Sequence, residues 1–298
     1  MKKIEIIEVG PRDGLQNQDA ILSTADKVAM IDMLIEAGAR RIEVASFVNP
    51  ARVPQMADAE GVVAALPKRK DVTYIGLVLN ARGLDRALKT GIDEVGAVAV
   101  ATDSFGLRNQ KQTWRESVEV SIDIIERAKK AGLRAQATIS VAFGCPFEGE
   151  VPMERVIEMA CMIAESQPHE IALADTVGVG VPSQVKAMIA ALRQAIPAIP
   201  LRCHFHNTRN TGLANAFAAT EMEVDRLDAS VGGIGGCPFA PAATGNIGTE
   251  DLVYMLERSG FETGYDLAKL TAMAPWLSER LNLTGLPAMV SRATPFPA

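Results

Sequence analysis

Short runs of β-branched and aliphatic residues recur along the chain at intervals of roughly 25 to 40 residues. Each is followed by a turn and then by a stretch whose apolar positions lie three and four apart. The runs cover residues 4–9, 41–45, 72–79, 94–99, 134–142, 170–174, 201–206 and 226–230, and they predict eight strands. Helical spacing falls at 24–37, 114–131, 153–165, 183–195 and 211–220, several opened by Ser, Thr or Pro and closed by Gly, as at Ala131-Gly132. Eight strand–helix units in about 260 residues favour an α/β fold of the closed (β/α)8 TIM-barrel type over an open doubly wound sheet. The first strand also leads into Gly10-Pro11-Arg12-Asp13-Gly14 and not into a phosphate-cradling GxGxxG. Residues 265–281 predict additional helix. The expectation is one domain, with a barrel over about 4–260 and a C-terminal helical extension over about 261–293.

Composition narrows this picture. The chain has 298 residues, 48% of them hydrophobic but only 5% aromatic, so Val, Ile, Leu and Ala must fill the core, as parallel sheets prefer. A net charge of −6 carries no block of Lys or Arg, which argues against a nucleic-acid partner. No apolar run is long enough to span a bilayer, and the expected location is cytoplasmic, without a membrane partner. Cys145, Cys161, Cys203 and Cys237 are far apart and form no CxxC pair, so reduced thiols are expected.

In barrels of this kind the working face is the C-terminal end of the strands. Polar residues gather there: Arg12, Asp13 and Gln16 after the first strand, Glu43 and Ser46 at the second, Asp175 and Thr176 at the sixth, and His204 and His206 at the seventh. Alternate residues of a strand share a face, so His204 and His206 point together, and Asp13 can supply a third ligand to the same space. Two nitrogens with a carboxylate suit Mg²⁺ or Mn²⁺ better than zinc; the competing reading is hydrogen-bonded barrel filling. Glu43 lies in an apolar strand, where a lone carboxylate is costly, and is expected to pair with Arg12. The segment Ser230 to Phe239 places four glycines before Cys237, giving a hinged loop whose thiol can reach over a site. An inert thiol in a tight turn is the alternative, and Cys145, in Gly144-Cys145-Pro146, has a similar local setting.

Longer motifs carry a resemblance. They are Val9-Gly10-Pro11-Arg12-Asp13-Gly14-Leu15-Gln16-Asn17, Ile42-Glu43-Val44-Ala45-Ser46-Phe47-Val48-Asn49-Pro50 with Val53-Pro54-Gln55-Met56-Ala57-Asp58, Asp175-Thr176-Val177-Gly178-Val179-Gly180, Gly233-Ile234-Gly235-Gly236-Cys237-Pro238-Phe239, and the stretch from Gly245-Asn246 to Tyr254. Together they resemble the hydroxymethylglutaryl-CoA lyase family over about residues 4–260. The resemblance implies a TIM barrel, a divalent cation held by Asp13, His204, His206 and Asn246, catalytic Arg12 and Cys237, and a small-molecule acyl-CoA substrate. It also favours Cys237 over Cys145. After the histidines, family members have an Asp-Thr-Tyr-Gly-like run, whereas this chain reads Asn207-Thr208-Arg209-Asn210-Thr211-Gly212, which leaves the acyl group open.

The reaction implied is a retro-Claisen cleavage to acetyl-CoA and acetoacetate. In it Arg12 stabilises the enolate oxygen and Cys237 protonates the enolate carbon, while the general base stays open between His206 and Asp13. Glu43 and Asp175 are expected to hold Arg12 and the substrate-side network, with Gln16, Ser46 and Thr176 near the substrate. Rival readings are a condensing enzyme joining acetyl-CoA to an oxo acid, a hydroxy-oxo acid aldolase, and a non-catalytic binding barrel. A homodimer or higher homo-oligomer is expected.

Overall fold

The computed structural model describes residues 1–236, 245–294 and 296. A short strand β1 (Lys2–Lys3) leads into eight parallel strands that close on themselves. These are β2 (Glu5–Glu8), β3 (Arg41–Ser46), β4 (Thr73–Val78), β5 (Glu94–Val100), β6 (Arg134–Ser140), β7 (Ile171–Asp175), β8 (Leu201–Phe205) and β9 (Arg226–Ala229). They pair in chain order, and β9 returns to β2 with Glu5 opposite Arg226 and Glu8 opposite Ala229, so the predicted TIM barrel is present. Outside it, β1 pairs in parallel with β10 (Phe261–Glu262), fastening the start of the chain beneath the segment that follows the barrel.

The helices that the spacing predicts are present as Thr24–Glu36, Trp114–Lys130, Met153–Ala164, Pro182–Ala195 and Gly212–Glu221. Trp114–Lys130 shows why. The Thr113 hydroxyl accepts the Glu116 N–H while the Glu116 carboxylate accepts the Thr113 N–H, a capping box worth about 1 kcal/mol. Val118, Ile124, Ile125 and Ala128 line its buried stripe, and Gly132 (φ 83°) lies just past its end.

The spacing misses Ala59–Ala65, Ala81–Ala87, Asp103–Asn109 and Thr249–Arg258. The first three each span about two turns and contain a glycine, too little for a 3.6-residue period to register; the fourth has only Leu252, Val253 and Leu256 as its buried apolar positions. The predicted helix at 265–281 is two helices, Leu267–Ala272 and Ala274–Leu281, with Pro275 in the first turn of the second, where its missing N–H is harmless.

The main apolar core lies between strands and helices, and includes Met30, Ile31, Leu34, Ile42 and Val44. The inside of the barrel is different: Ile7, Val9 and Ile75 form a small cluster of their own, and charged side chains fill much of the rest. At the N-terminal end, buried Arg41 hydrogen-bonds Glu94 and also Glu170, the latter at 2.8 and 3.0 Å. Above it Arg202 donates to Gln136 at 2.6 Å and lies 3.3 Å from Glu170 and 3.4 Å from Asp228. Asp228 in turn meets His204. Charge therefore runs up the barrel in alternating sign toward its C-terminal mouth.

Candidate functional site

Just past β2, the chain winds into one π-helical turn, Gly10–Gly14, in which the Val9 carbonyl accepts the N–H groups of Arg12, Asp13 and Gly14 at 3.2, 2.7 and 3.2 Å. Such turns are uncommon and often functional. Pro11 fits its first turn because no donor is needed there. The turn sets Arg12 and Asp13 over the mouth of the barrel. From β8, two strands away across β9, alternation along the strand and just beyond it brings His204 and His206 to the same place, with ring centroids 5.1 Å apart. The Nε2 atoms of both rings lie 4.0 Å from Asp13 Oδ2, and one potential ligand atom from each of the three residues lies within 4.8 Å of the others.

Neighbouring groups orient this cluster. His204 Nδ1 is 3.2 Å from Asp228 Oδ2, leaving Nε2 toward Asp13, and the Asn246 amide donates to Asp13 Oδ2 at 2.9 Å and to the Ile234 carbonyl at 3.1 Å. An isolated bridge between His206 and Asn246 fixes the strand end to the returning segment. Arg12 donates to Asp13 at 2.5 Å and, as its buried carboxylate predicts, to Glu43 at 2.6 Å. A register shift between Glu43 and Ala45 in the β3–β4 pairing lies beside this contact, and bulges of that sort re-aim side chains.

Burial works against the Arg12 charge, but Asp13 and Glu43 more than compensate, so the guanidinium stays firmly protonated. Burial would likewise raise Asp13, yet the charges of Arg12 and His204, with the hydrogen bond from Asn246, hold it far below the usual carboxylate range. For Glu43, burial outweighs Arg12 and raises its pKa. His206 is pushed down to about 3 by burial and by His204, so it is a neutral imidazole. Burial would depress His204 too, but its bond to Asp228 and the charges of Asp228 and Asp13 raise it.

A cavity of about 170 Å³ opens beside the cluster, with Arg12, Asp13, Glu43, His204 and His206 along one side and Leu77, Val98 and Phe105 among its apolar lining. Gln16 and Thr176 line it as the sequence suggests. The Gln16 Oε1 is buried without a partner among the described residues, while the Thr176 hydroxyl accepts the Val141 N–H at 2.9 Å. That bond secures Val141 at φ 51°, a conformation costly for a β-branched residue, directly after Ser140 of the cavity wall. Ser46 is buried at the end of β3 with an unpartnered hydroxyl.

The Asp175 carboxylate is not bonded to Arg12; it accepts the N–H groups of Val179 and Gly180, both at 2.9 Å, and so shapes the loop after β7 that carries Thr176 of the cavity lining. A carboxylate at the end of a strand, followed by Gly178 and Gly180, finds backbone donors within its own turn. Arg209, the added cation of the Asn207–Gly212 departure, donates to the carbonyls of Val177 and Gly178 at 3.2 and 3.0 Å, bracing that same loop. Cys237 lies outside the described residues. Cys145 is buried and its sulfur is 3.1 Å from the Thr102 hydroxyl. Asp228 was missed by the sequence reading, although the signal that singled out Glu43, a carboxylate within an apolar strand, is present there as well.

No helix among the described residues is long and apolar enough to cross a membrane. A family model described as HMGL-like matches residues 3–276. The hydroxymethylglutaryl-CoA lyase YngG of Bacillus subtilis is 41% identical over 280 residues, covering 94% of each chain. The (R)-citramalyl-CoA lyase of Chloroflexus aurantiacus is 42% identical over 99% of this chain and 96% of its own. Among solved structures, an HMG-CoA lyase from Acinetobacter baumannii, in complex with coenzyme A and 3-methylmalate, superposes with a TM-score of 0.94 at 37% identity, covering 99% of this chain and 96% of that one.

Proposed function

The chain belongs to the HMGL-like family, and from that premise we propose that it is a carbon–carbon lyase cleaving 3-hydroxy-3-methylglutaryl-CoA, or a close 3-hydroxy-3-carboxyalkyl acyl-CoA, to acetyl-CoA and the matching oxo acid. For the first substrate that product is acetoacetate. The observation that carries the reading is the convergence of Asp13, His204 and His206 within 4.8 Å, beside Arg12, at the C-terminal mouth of the barrel.

The donor set fits a divalent cation. Two imidazoles, one carboxylate and a nearby amide mix nitrogen and oxygen, and the low pKa of Asp13 keeps it a carboxylate throughout the working range. Asp13, His204, His206 and Asn246 would hold Mg²⁺ or Mn²⁺, with zinc less suited. When bound, the ion supplies Lewis-acid chemistry that acidifies the substrate 3-hydroxyl and fixes its orientation.

Arg12 is the group for the charge that develops on the thioester oxygen as the C2–C3 bond breaks, an interaction stronger in the transition state than in the bound substrate. Its bonds to Asp13 and Glu43 hold its planar fork in one orientation, so little reorganisation is needed at that moment. Cys237 is proposed to protonate the enolate carbon, and Gln16, with its buried unpartnered oxygen, is a candidate contact for the acyl group. The general base is unassigned.

The acyl group is the narrower question. The similarity to a lyase named for (R)-citramalyl-CoA, 42% identical to this chain, supports testing that ester beside the methylglutaryl one. Acetyl-CoA release would be compared for both esters with metal-loaded protein. The reading expects one of them to be turned over with a kcat/KM of at least about 10⁴ M⁻¹s⁻¹. If both esters persist unchanged with folded, metal-loaded protein, the proposed substrate class is wrong. The same reading includes a single catalytic domain and a cytoplasmic homodimer or higher homo-oligomer.

A further inference from the structure

Glu8 belongs to none of the groups assigned above. It ends β2 and is fully buried, yet it does not line the cavity. Its Oε1 accepts the N–H groups of Gly10 at 2.8 Å and Val231 at 3.0 Å, and its Oε2 accepts the Thr249 hydroxyl at 2.7 Å. Three chain segments thus meet on one carboxyl group, and each leads to the metal cluster. Gly10 opens the turn that carries Arg12 and Asp13. Val231 opens the turn after β9, in which the Ile234 carbonyl accepts the Asn246 amide. Thr249 follows Asn246 by three residues on the returning segment.

The arrangement is costly to build. Burial pushes the Glu8 carboxyl up to about 8 despite its three donors, with buried Glu250 adding to the rise. A Cβ at Gly10 would stand 2.7 Å from Glu8 Oε1, so the close approach at that position requires glycine. An apolar residue at position 8 would avoid the desolvation but leave the Gly10 and Val231 amides buried without acceptors.

We propose that Glu8 is a positioning residue: by tying the Gly10, Val231 and Thr249 segments to one carboxyl group, it sets the spacing between Asp13 and Asn246 and so tunes the affinity of their site for a divalent cation. The proposal rests on the reading of Asp13 and Asn246 as ligands. Asp13 and Asn246 share one hydrogen bond of their own, and the backbone segments that carry them, after the neighbouring strands β2 and β9, are joined through Glu8. Removing a residue that orients metal ligands costs about 10 to 100-fold in metal affinity.

The test measures Mn²⁺ binding to the metal-stripped full-length protein by calorimetry, with kcat, KM and thermal unfolding recorded alongside. Glu8→Ala is expected to weaken Mn²⁺ about 10 to 100-fold and to lower kcat with little change in KM. Glu8→Gln should restore most of both, because its oxygen keeps the two amide donors and its amide can donate to the Thr249 hydroxyl. Thr249→Val removes one donor of the three and provides a milder variant should Glu8→Ala not fold; a several-fold loss of Mn²⁺ affinity is expected. Wild-type Mn²⁺ affinity in Thr249→Val and in folded Glu8→Ala, with only the melting temperature lowered, overturns the proposal. Asp13→Ala separates the two readings. If it binds Mn²⁺ as well as the wild type, the ligand assignment itself fails; if it loses binding while the position 8 and 249 variants retain it, only the role of Glu8 fails.

Discussion

The two ends of the barrel are built from the same strands but treat their charges in opposite ways. At the N-terminal end, Arg41 is shared between Glu94 and Glu170, and Glu170 also faces Arg202 and Arg226 at 3.3 and 3.2 Å. At the C-terminal end, Arg12 Nε, Gln16 Oε1, Ser140 Oγ and His206 Nδ1 are all buried without a partner among the described residues. Leaving a polar atom so costs about 1–3 kcal/mol. The first end has its charges matched within the fold, whereas the second keeps hydrogen-bonding capacity for something that arrives. That contrast separates stability from function along a single axis.

Breaking the lower network should give the largest effect. Arg41→Met leaves Glu94 and Glu170 buried with less countercharge, and is expected to cost about 3–5 kcal/mol in urea unfolding with an unchanged kcat for the folded protein. Loss of activity without loss of stability would erase the distinction. Arg12→Ala should do the reverse, lowering kcat about 10²–10³-fold in steady-state assays while the melting temperature moves little. Asp228→Asn probes the boundary between the two ends. It removes a charge that raises the His204 pKa, and metal affinity measured by calorimetry should fall about 10 to 100-fold.

The smallest effects are in pH. Burial would raise Glu170, but Arg202, Arg41 and Arg226 bring it down to about 2, below its unfolded value of 4.5. Its stabilisation is fully present above pH 4.5 and is lost as pH falls toward 2. Glu8 has the opposite sign: raised by burial to about 8, it stays protonated in the fold where the unfolded chain would ionise. Its contribution is present below pH 4.5 and lost as pH rises through 8. Unfolding free energies across pH should show both limbs, each no steeper than about 1.4 kcal/mol per pH unit for one group. Glu8→Gln should reduce the alkaline limb and leave the acid one, the remainder of the alkaline limb belonging to Glu250, which burial raises to about 7.

Much of this was legible in the sequence. All eight barrel strands announce themselves, because the face each turns to the surrounding helices is aliphatic and the units recur at regular intervals. The alternation of His204 and His206 forecasts their shared face, and a carboxylate within an apolar strand correctly pairs Glu43 with Arg12. The same logic, applied to Asp228 in β9 and Glu8 in β2, would have found the residues that orient the cluster. Asp175 shows where such logic stops. Its backbone donors at Val179 and Gly180 lie within its own turn, and a strand-end carboxylate before a Gly-containing turn serves a loop or a site equally well until the turn is seen. The π turn at Gly10–Gly14 is similarly hidden, since it is anchored by Glu8 and by a segment more than two hundred residues away in sequence.

The central claim is that the unsatisfied end of the barrel is a metal-dependent lyase site. Its most direct test is the rate of acetyl-CoA release from 3-hydroxy-3-methylglutaryl-CoA by metal-stripped protein, before and after Mg²⁺ or Mn²⁺ is returned, with folding checked by circular dichroism. The account predicts release that is lost on stripping and restored by the cation, with the fold intact throughout. Undiminished release from the stripped protein would contradict it.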